Sequence, residues 1–357
     1  MARTSPPAER DAVLRLATFN LESLDVPAGR EAPLEERVQV LRPQFQRLRA
    51  DVLCLQEVNG QRGRTGKVRS LAALDALVAG TEYAGFHRVH TRSGSRGGPR
   101  DRHNLVILSR LPVLDHGQVR HDLVEAPRHR LATAVPQRGE RGRAEAVEWD
   151  RPMLHARLDL GGGRVLTVIN LHLRAPRAAF VPGHKIGPWE WQDAPGWAEG
   201  MFLAAVKGAG QAFETRLYID RLFDADPDAL VAVCGDFNAG LHDIPGRIVR
   251  GDEEDMGSGA LAARCLVAPE VGLPEDRRHS VLHRGRPEMV DHILISRALL
   301  AWYREMEIHN ESLGDEVITP AAVHAAPESF HAPVVAEFRL PKAGSGAGSG
   351  AGSGAGA

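Results

Sequence analysis

The stretch LVAVCGDFNA (230–239) decides the fold more than any other part of the chain. It begins as a continuously apolar run and then changes abruptly to Gly235, Asp236 and, after one phenylalanine, Asn238. A short run that is apolar throughout is typical of a strand with both faces covered. The stretch therefore predicts an interior strand of a packed sheet with an acid and an amide at its tip.

Other apolar runs also carry polar residues where they end. These residues are Asn20 in ATFN, Glu57 in VLCLQE, Asn170 and His172 in TVINLH, Asp291 in MVDH, and His331 just before the final run. Strand tips converge at one end of a sheet, where functional residues are often found. We therefore expect a single cluster built from these positions.

The residue types in this cluster suit a hard cation. It contains acids, histidines and several amides, and Mg²⁺ takes one or two carboxylates while keeping waters for a phosphate substrate. The absence of a Cys/His ligand group argues against structural zinc.

Short β-rich runs interleave with longer helical patterns. We predict strands at 14–20, 52–56, 104–109, 153–160, 164–170, 230–235, 290–295 and 333–340, and helices at 35–49, 70–79 and 207–223. There is no internal repeat, and no GxGxxG motif follows the first strand. The segment 175–206 contains Trp189, Trp191 and Trp197 and is predicted to be a long ordered loop, which is usually functional in a compact domain.

The composition excludes several classes of protein. Of 357 residues, 43% are hydrophobic and 25% are charged, which argues against disorder, a collagen-like chain or a disulfide scaffold. No apolar run approaches the ~20 residues of a membrane span, and no signal peptide is evident. Cys54, Cys234 and Cys265 form no CxxC pair, so we expect buried, reduced thiols in a cytoplasmic protein.

The predicted organisation is one domain over 13–341, and we expect a monomer. Residues 1–12 are expected to be loose, and the Gly/Ala/Ser segment 342–357 is expected to be a flexible tail or linker. Charge is unevenly distributed: residues 61–143 hold 16 Lys/Arg and 7 acids, a net charge of +9, against −11 elsewhere. This segment is either an edge that faces a polyanion or a set of solvated loops.

The order of the motifs resembles the endonuclease/exonuclease/phosphatase superfamily. The matching pieces are TFNLES (18–23), LCLQEV (53–58), NLVILSR (104–110), INLHL (169–173), GDFNA (235–239), VDHILIS (290–296) and SFHAPVVAEF (329–338). The resemblance implies a DNase I-like fold, a four-layer α/β sandwich of two mixed sheets packed face to face with outer helices.

The resemblance also implies a role for each motif residue. Glu57 would hold a divalent ion, Mg²⁺ or Mn²⁺, with Asn20 beside it. Asp236 would activate the attacking water or share in metal binding, and Asn238 would contact the phosphate. His172 would contact the phosphate or assist the leaving oxygen, and His331, held by Asp291, would stabilise the transition state. The other histidines, His103 among them, are interpreted as loop or surface residues.

The chain departs from the superfamily at one position. Where the family ends in Ser-Asp-His, this sequence has Ser329, Phe330 and His331. Phenylalanine cannot ligate a cation, so two-metal chemistry is in doubt. Glu328 is a candidate replacement, because residues 328 and 330 share a face of an extended segment.

Three functions remain open. The basic segment and the tryptophans favour a nuclease, either endonuclease or exonuclease, acting on DNA or RNA. The second is a phosphatase or phosphodiesterase for a small or lipid phosphate, and the third is a catalytically silent binding relative. Arg216 is left between a phosphate contact and a pair with an acid.

Overall fold

The computed structural model describes residues 12–26, 33–63, 68–94, 97–133, 143–318 and 327–341. Apart from Ala12, the predicted loose N-terminus and the predicted tail lie outside these ranges. The strands are β1 Ala12–Leu24, β2 Val52–Val58, β3 Gln61–Arg62, β4 Arg69–Ser70, β5 His87–His90, β6 Asn104–Ser109, β7 Val113–Val119, β8 Arg128–His129, β9 Glu145–Ala146, β10 Met153–Gly161, β11 Arg164–His172, β12 Leu230–Asp236, β13 Val281–His283, β14 Arg286–Glu288, β15 Asp291–Ile295, β16 Tyr303–Ile308 and β17 Val334–Leu340. The α-helices are α1 Leu34–Leu48, α2 Ala72–Val78, α3 Ala194–Ala225, α4 Ile244–Arg250, α5 Glu253–Met256, α6 Gly259–Ala262 and α7 Arg297–Leu300.

Two mixed sheets form the body of the protein. The six-stranded sheet has the order β16-β17-β1-β2-β6-β5, and the five-stranded sheet has the order β15-β12-β11-β10-β7. In the first sheet β1 runs parallel to β2 and antiparallel to β17. In the second sheet β11 runs parallel to β12, whose other neighbour β15 is antiparallel.

A buried apolar layer lies between the two sheets. Leu16 of β1 and Cys54 of β2 belong to the same cluster as Val168 of β11 and Ala232 of β12. All three cysteines are buried and free, as the sequence predicted.

The opposite faces of both sheets are covered by helices. Phe19 and Leu55 of the six-stranded sheet pack with Phe45 of α1, and Ile169 and Val233 of the five-stranded sheet pack with helix α3. Complete burial of one such side chain contributes about 1.5–3 kcal/mol. The predicted four-layer α/β sandwich is confirmed. Within the described residues, none of the helices has the length and apolar character needed to cross a bilayer.

The predicted loop at 175–206 is wrong in its second half, where α3 begins at Ala194. Asp193 caps this helix by accepting a hydrogen bond from the Gly196 N–H over 2.7 Å, and a proline occupies the first turn. Gly196 and Gly200 weaken the helical pattern, but added Cβ atoms there would lie 2.3 Å from the His184 side chain and 2.5 Å from the Ala179 carbonyl oxygen. These glycines therefore serve close packing.

A buried polar network joins the sheets beneath the layer of polar strand tips. Gln56 Nε2 donates hydrogen bonds to Asn170 Oδ1 over 2.7 Å and to Thr18 Oγ1 over 3.0 Å. Asn170 Nδ2 donates to the carbonyl oxygens of Leu55 and Val106 over 3.0 and 2.9 Å. Buried polar groups paired in this way fix how the sheets are placed relative to each other.

We expect Asn170→Ala to lower the free energy of unfolding by roughly 2–3 kcal/mol, because it leaves buried polar groups without partners. Urea denaturation followed by circular dichroism measures the change. The matched control is Gln118→Ala, which removes an amide from an exposed strand and should stay within about 0.5 kcal/mol. Equal effects of the two substitutions would contradict the role given to the network.

Candidate active site

Three of the predicted site residues lie in one row across the five-stranded sheet. In the register of β11, β12 and β15, His172 pairs with Asp236, and Asp236 pairs with Asp291. All three are buried. Gly235 allows the row to form, because its φ is 139° and a Cβ at this position would lie 2.1 Å from the carbonyl oxygen of Leu171.

Asp236 is held from both sheets. Asn20, near the end of β1, donates a hydrogen bond from Nδ2 to Asp236 Oδ2 over 2.9 Å. Asn238 donates to the same carboxylate from its backbone N–H over 2.8 Å and from Nδ2 over 3.1 Å. The Oδ1 atom of Asn20 accepts a hydrogen bond from the Glu22 N–H. Asn20 therefore orients Asp236, and its expected role as a metal ligand stays a prediction.

Glu57 projects from a bulge at the end of β2. The pairing of β2 with β6 shifts register between Leu55 and Val58, and Glu57 has a left-handed backbone with φ 58°. Bulges of this kind re-aim a side chain, here at a cost of about 1–2 kcal/mol for a non-glycine residue. Ser23 Oγ donates a hydrogen bond to Glu57 Oε2 over 3.1 Å, which fixes the direction of the carboxylate.

The other oxygen of Glu57 faces two imidazoles. Its Oε1 atom lies 3.5 Å from His103 Nδ1 and 3.6 Å from His172 Nε2. Two groups among the described residues have the spacing to hold a metal ion, namely Glu57 with His103 and His172, and Asp236 with Asp291 and His331.

His331 and Asp291 are paired, as expected. His331 Nδ1 lies 2.8 Å from Asp291 Oδ2. Burial alone would lower the pKa of His331, but the Asp291 charge and hydrogen bond outweigh it and raise that pKa to about 10. Ser329 Oγ accepts from the His331 N–H and donates to the Asn20 carbonyl, so this loop is tied to β1.

The ionisable side chains of the site differ in their protonation state at neutral pH. Burial, and next the Asp291 charge, raise the pKa of Asp236 to about 7. Burial would also raise the pKa of Glu57, but the neighbouring imidazoles and Arg151 hold it well below its usual range. Burial and Arg151 lower the pKa of His172, so this ring is neutral at pH 7. The arrangement therefore offers an anion, a neutral ring, an imidazolium and a poised carboxyl group.

Position 330, where the chain departs from the family motif, contacts an unexpected acid. Phe330 is buried, and its backbone N–H donates to Glu22 Oε2 over 2.8 Å. Burial raises the pKa of Glu22. The acid in contact with this position therefore comes from β1, and a substituting role for Glu328 stays a prediction.

Two site residues were missed because they precede strands. His103 lies in the loop just before β6, as interpreted, but its ring faces Glu57, which the sequence did not indicate. Arg151, just before β10, places Nη2 3.4 Å from His103 Nδ1 and donates from Nη1 to the Leu173 carbonyl over 3.3 Å. In an antiparallel pair, one strand starts where its neighbour ends. A polar residue just before a strand that pairs with a strand ending in a site residue is therefore a candidate for the site, and this rule would have indicated both His103 and Arg151.

A buried pair supports the loop after β12. His292 Nδ1 lies 2.7 Å from Glu270 Oε1, and its Nε2 lies 2.9 Å from the carbonyl oxygen of Ala239. Both side chains are fully buried. This pair fixes the backbone immediately after Asn238. His292 was missed because it stands inside an apolar strand.

The structure also shows how Arg216 and the three tryptophans of 175–206 are placed. Arg216 pairs with an acid, Asp220, over 2.9 Å. The tryptophans divide: Trp191 is half-buried with Lys185 Nζ 4.9 Å from its ring centroid, whereas Trp197 is exposed and Trp189 is 84% exposed.

A sandwich of this topology, with acids, amides and imidazoles at one edge, defines the DNase I-like class of phosphoester hydrolases. The pattern of the Endonuclease/Exonuclease/phosphatase family matches residues 17–313, and the chain belongs to this family. The comparison with curated proteins finds no match.

Solved structures share the fold at low sequence identity. The 3′ phosphatase NExo from Neisseria, bound to a product DNA hairpin, is 16% identical with a TM-score of 0.50, over 92% of this chain and 100% of that chain. Truncated TDP2 from Caenorhabditis elegans is 15% identical with a TM-score of 0.51, over 92% and 98%. An endonuclease/exonuclease/phosphatase from Beutenbergia cavernae is 20% identical with a TM-score of 0.50, over 94% and 73%.

We expect His331 to keep its proton in the metal-free protein until the pH approaches about 10. Because this folded-state pKa lies above the ~6.5 of a free imidazole, the stabilisation is fully present below about pH 6.5 and is lost as the pH rises through the folded pKa. Asp291→Asn should move the titration back towards 6.5. Histidine NMR measures both titrations, with Asp115→Asn on exposed β7 as the control, and a parent midpoint near 6.5 would contradict the pairing.

Proposed function

We propose that the protein is a metal-dependent nuclease that cleaves phosphodiester bonds by in-line attack of an activated water. The family membership supports phosphoester hydrolysis in general. The preference for a polynucleotide is supported by one observation, a group of exposed aromatic side chains between residues 180 and 213.

The side chains suit four steps of such a reaction. Asp236 takes the proton of the attacking water, and a pKa of about 7 matches a general base working at neutral pH. Asn238 and neutral His172 contact the phosphate or the leaving oxygen. Imidazolium His331 provides positive charge where negative charge grows in the transition state. Asp291 holds that ring in place.

The donor atoms at the cluster fit a divalent ion. Glu57 is an anion whose Oε1 points towards neighbouring ligand-type atoms, and it would hold Mg²⁺ or Mn²⁺ with Asn20 beside it. When bound, such an ion polarises a phosphoryl oxygen.

One cleft of the protein combines charges of both signs with an exposed aromatic ring. It has a volume of about 720 Å³, and its wall contains Phe180 together with three cations and three acids, namely Arg120, Arg143, Lys207, Glu145, Glu148 and Asp150. Asp150 is adjacent in the chain to Arg151, which contacts His103. Arg120 pairs with Glu148 and Lys207 pairs with Asp150, so the feature of this cleft that suits a nucleic acid is its exposed ring rather than a net positive charge.

Five exposed aromatic side chains lie in the segment 180–213. They are Phe180, Trp189, Trp197, Phe202 and Phe213. Stacking of a base on an aromatic ring contributes about 1–3 kcal/mol and tolerates any base. A small phosphate would make no use of such a surface.

The test is hydrolysis of a substrate panel in Mg²⁺ or Mn²⁺: single-stranded DNA, duplex DNA, RNA, bis-p-nitrophenyl phosphate and inositol polyphosphates. We expect cleavage of a polynucleotide, loss of activity with EDTA, and a fall in turnover in Glu57→Gln larger than the ~10–100-fold typical of an outer-shell partner of a metal ligand. Glu305→Gln, at an exposed position on β16, is the matched control and should be unchanged.

The other outcomes select other functions. Hydrolysis of inositol polyphosphates alone would establish the phosphatase alternative. A folded protein that hydrolyses nothing in the panel would favour the binding relative suggested by Phe330.

We expect the double variant Trp189→Ala/Trp197→Ala to bind single-stranded DNA at least about 30-fold more weakly, since each lost stack removes ~1–3 kcal/mol. Fluorescence anisotropy in an Asp291→Asn background measures binding without turnover. Leu114→Ala, another exposed apolar position, is the control. Unchanged affinity in the tryptophan variant would remove these rings from the substrate path.

A further inference from the structure

We propose that Glu57, His103 and His172 form a mixed carboxylate–imidazole site that selects a divalent first-row transition ion, such as Mn²⁺, Co²⁺ or Zn²⁺, over Mg²⁺. This inference deepens the proposed function by naming the class of ion at the same cluster. It is tested through ion binding, so it can fail or succeed independently of the hydrolysis.

The distances between the three side chains fit a shared ion better than direct contact. Glu57 Oε1 lies 3.5 and 3.6 Å from the two imidazole nitrogens, and all three atoms lie within 4.8 Å of one another. Direct hydrogen bonds between such atoms have lengths of about 2.7–3.2 Å. Ligands placed about 2.0–2.2 Å from one ion are separated by roughly 3.0–3.5 Å.

Three of the four carboxylate oxygens of the second possible metal group accept hydrogen bonds, and the fourth, Asp291 Oδ1, is buried without a partner among the described residues. Asp291 Oδ2 is bonded to His331, and both oxygens of Asp236 accept hydrogen bonds from Asn20 or Asn238. In the first group, by contrast, Ser23 engages Oε2 of Glu57 and leaves Oε1 directed at the imidazoles. The first group is therefore the better prepared of the two.

The donor types determine which ion is preferred. Mg²⁺ is held through oxygen ligands, whereas imidazole suits transition ions and two histidines with one carboxylate form a known type of site for them. Phe330 offers no side-chain oxygen, Glu22 Oε2 accepts from the Phe330 N–H, and Asn20 Oδ1 accepts from the Glu22 N–H. The phenylalanine at position 330 and the imidazole of His103 thus both favour a transition ion over Mg²⁺.

Two contacts compete with the ion. Arg151 Nη2 lies 3.4 Å from His103 Nδ1, and Asp236 Oδ2 lies 3.4 Å from His172 Nε2. Both contacts are longer than ordinary hydrogen bonds. Arg151 keeps its bond to the Leu173 carbonyl when Nδ1 is taken by an ion.

Calorimetric titration of the chelator-treated protein with Mg²⁺, Mn²⁺, Co²⁺ and Zn²⁺ tests the inference. We expect at least tenfold tighter binding of the transition ions, and a Co²⁺ absorption spectrum typical of nitrogen ligation. His103→Asn should weaken their binding at least tenfold while changing Mg²⁺ binding little. Asparagine tolerates the left-handed backbone of His103, whose φ is 55°, and thermal melting verifies that the metal-free variant is folded.

His116→Asn, at an exposed position on β7, is the matched control and should leave all four affinities unchanged. Glu57→Gln should weaken binding of every ion. Equal affinity for Mg²⁺ and the transition ions, or unchanged Co²⁺ binding in His103→Asn, would overturn the inference. If the inference fails but Mg²⁺ supports hydrolysis, the proposed nuclease function still stands. If the protein binds transition ions selectively but hydrolyses nothing, the ion site stands and the nuclease function is contradicted.

Discussion

The site depends on a few buried hydrogen bonds that cross from one sheet to the other. Asn20 of the first sheet holds Asp236 of the second over 2.9 Å, and one layer deeper Gln56 holds Asn170 over 2.7 Å. The apolar layer between the sheets is non-directional and would tolerate small shifts. Directional bonds between fully buried groups do not, so they determine where the acids and imidazoles from the two sheets meet.

Several residues around the site have strained backbone conformations that orient their side chains. Glu22, Ser23, Glu57, His103 and Asn238 are all non-glycine residues with left-handed backbones. Each lies at a strand end or bulge on the rim of the site, and each conformation is maintained only because surrounding contacts determine it. The packed interior thus stabilises conformations that the rim would not adopt alone.

Sequence patterns predicted the parts whose environment is uniform. The run 104–109 was predicted residue by residue because both its faces are covered, whereas Val113–Val119 was missed because it is mostly exposed and carries Asp115 and His116. Motif residues Asp236, Asp291 and His331 were found at strand tips. His103 was not, because its function depends on which strand end lies beside Glu57, a tertiary fact that local patterns do not contain.

The order in which the strands are joined has a consequence for biosynthesis. The first sheet is closed by β17, which inserts between β1 and β16, and the buried Arg15 of β1 pairs with Glu337 of β17 over 2.9 Å. His331 and the loop tied to Asn20 arrive with that last strand. A nascent chain therefore has no assembled site until β17 has left the ribosome, and a product truncated before residue 331 would carry the acids without the imidazolium that they face.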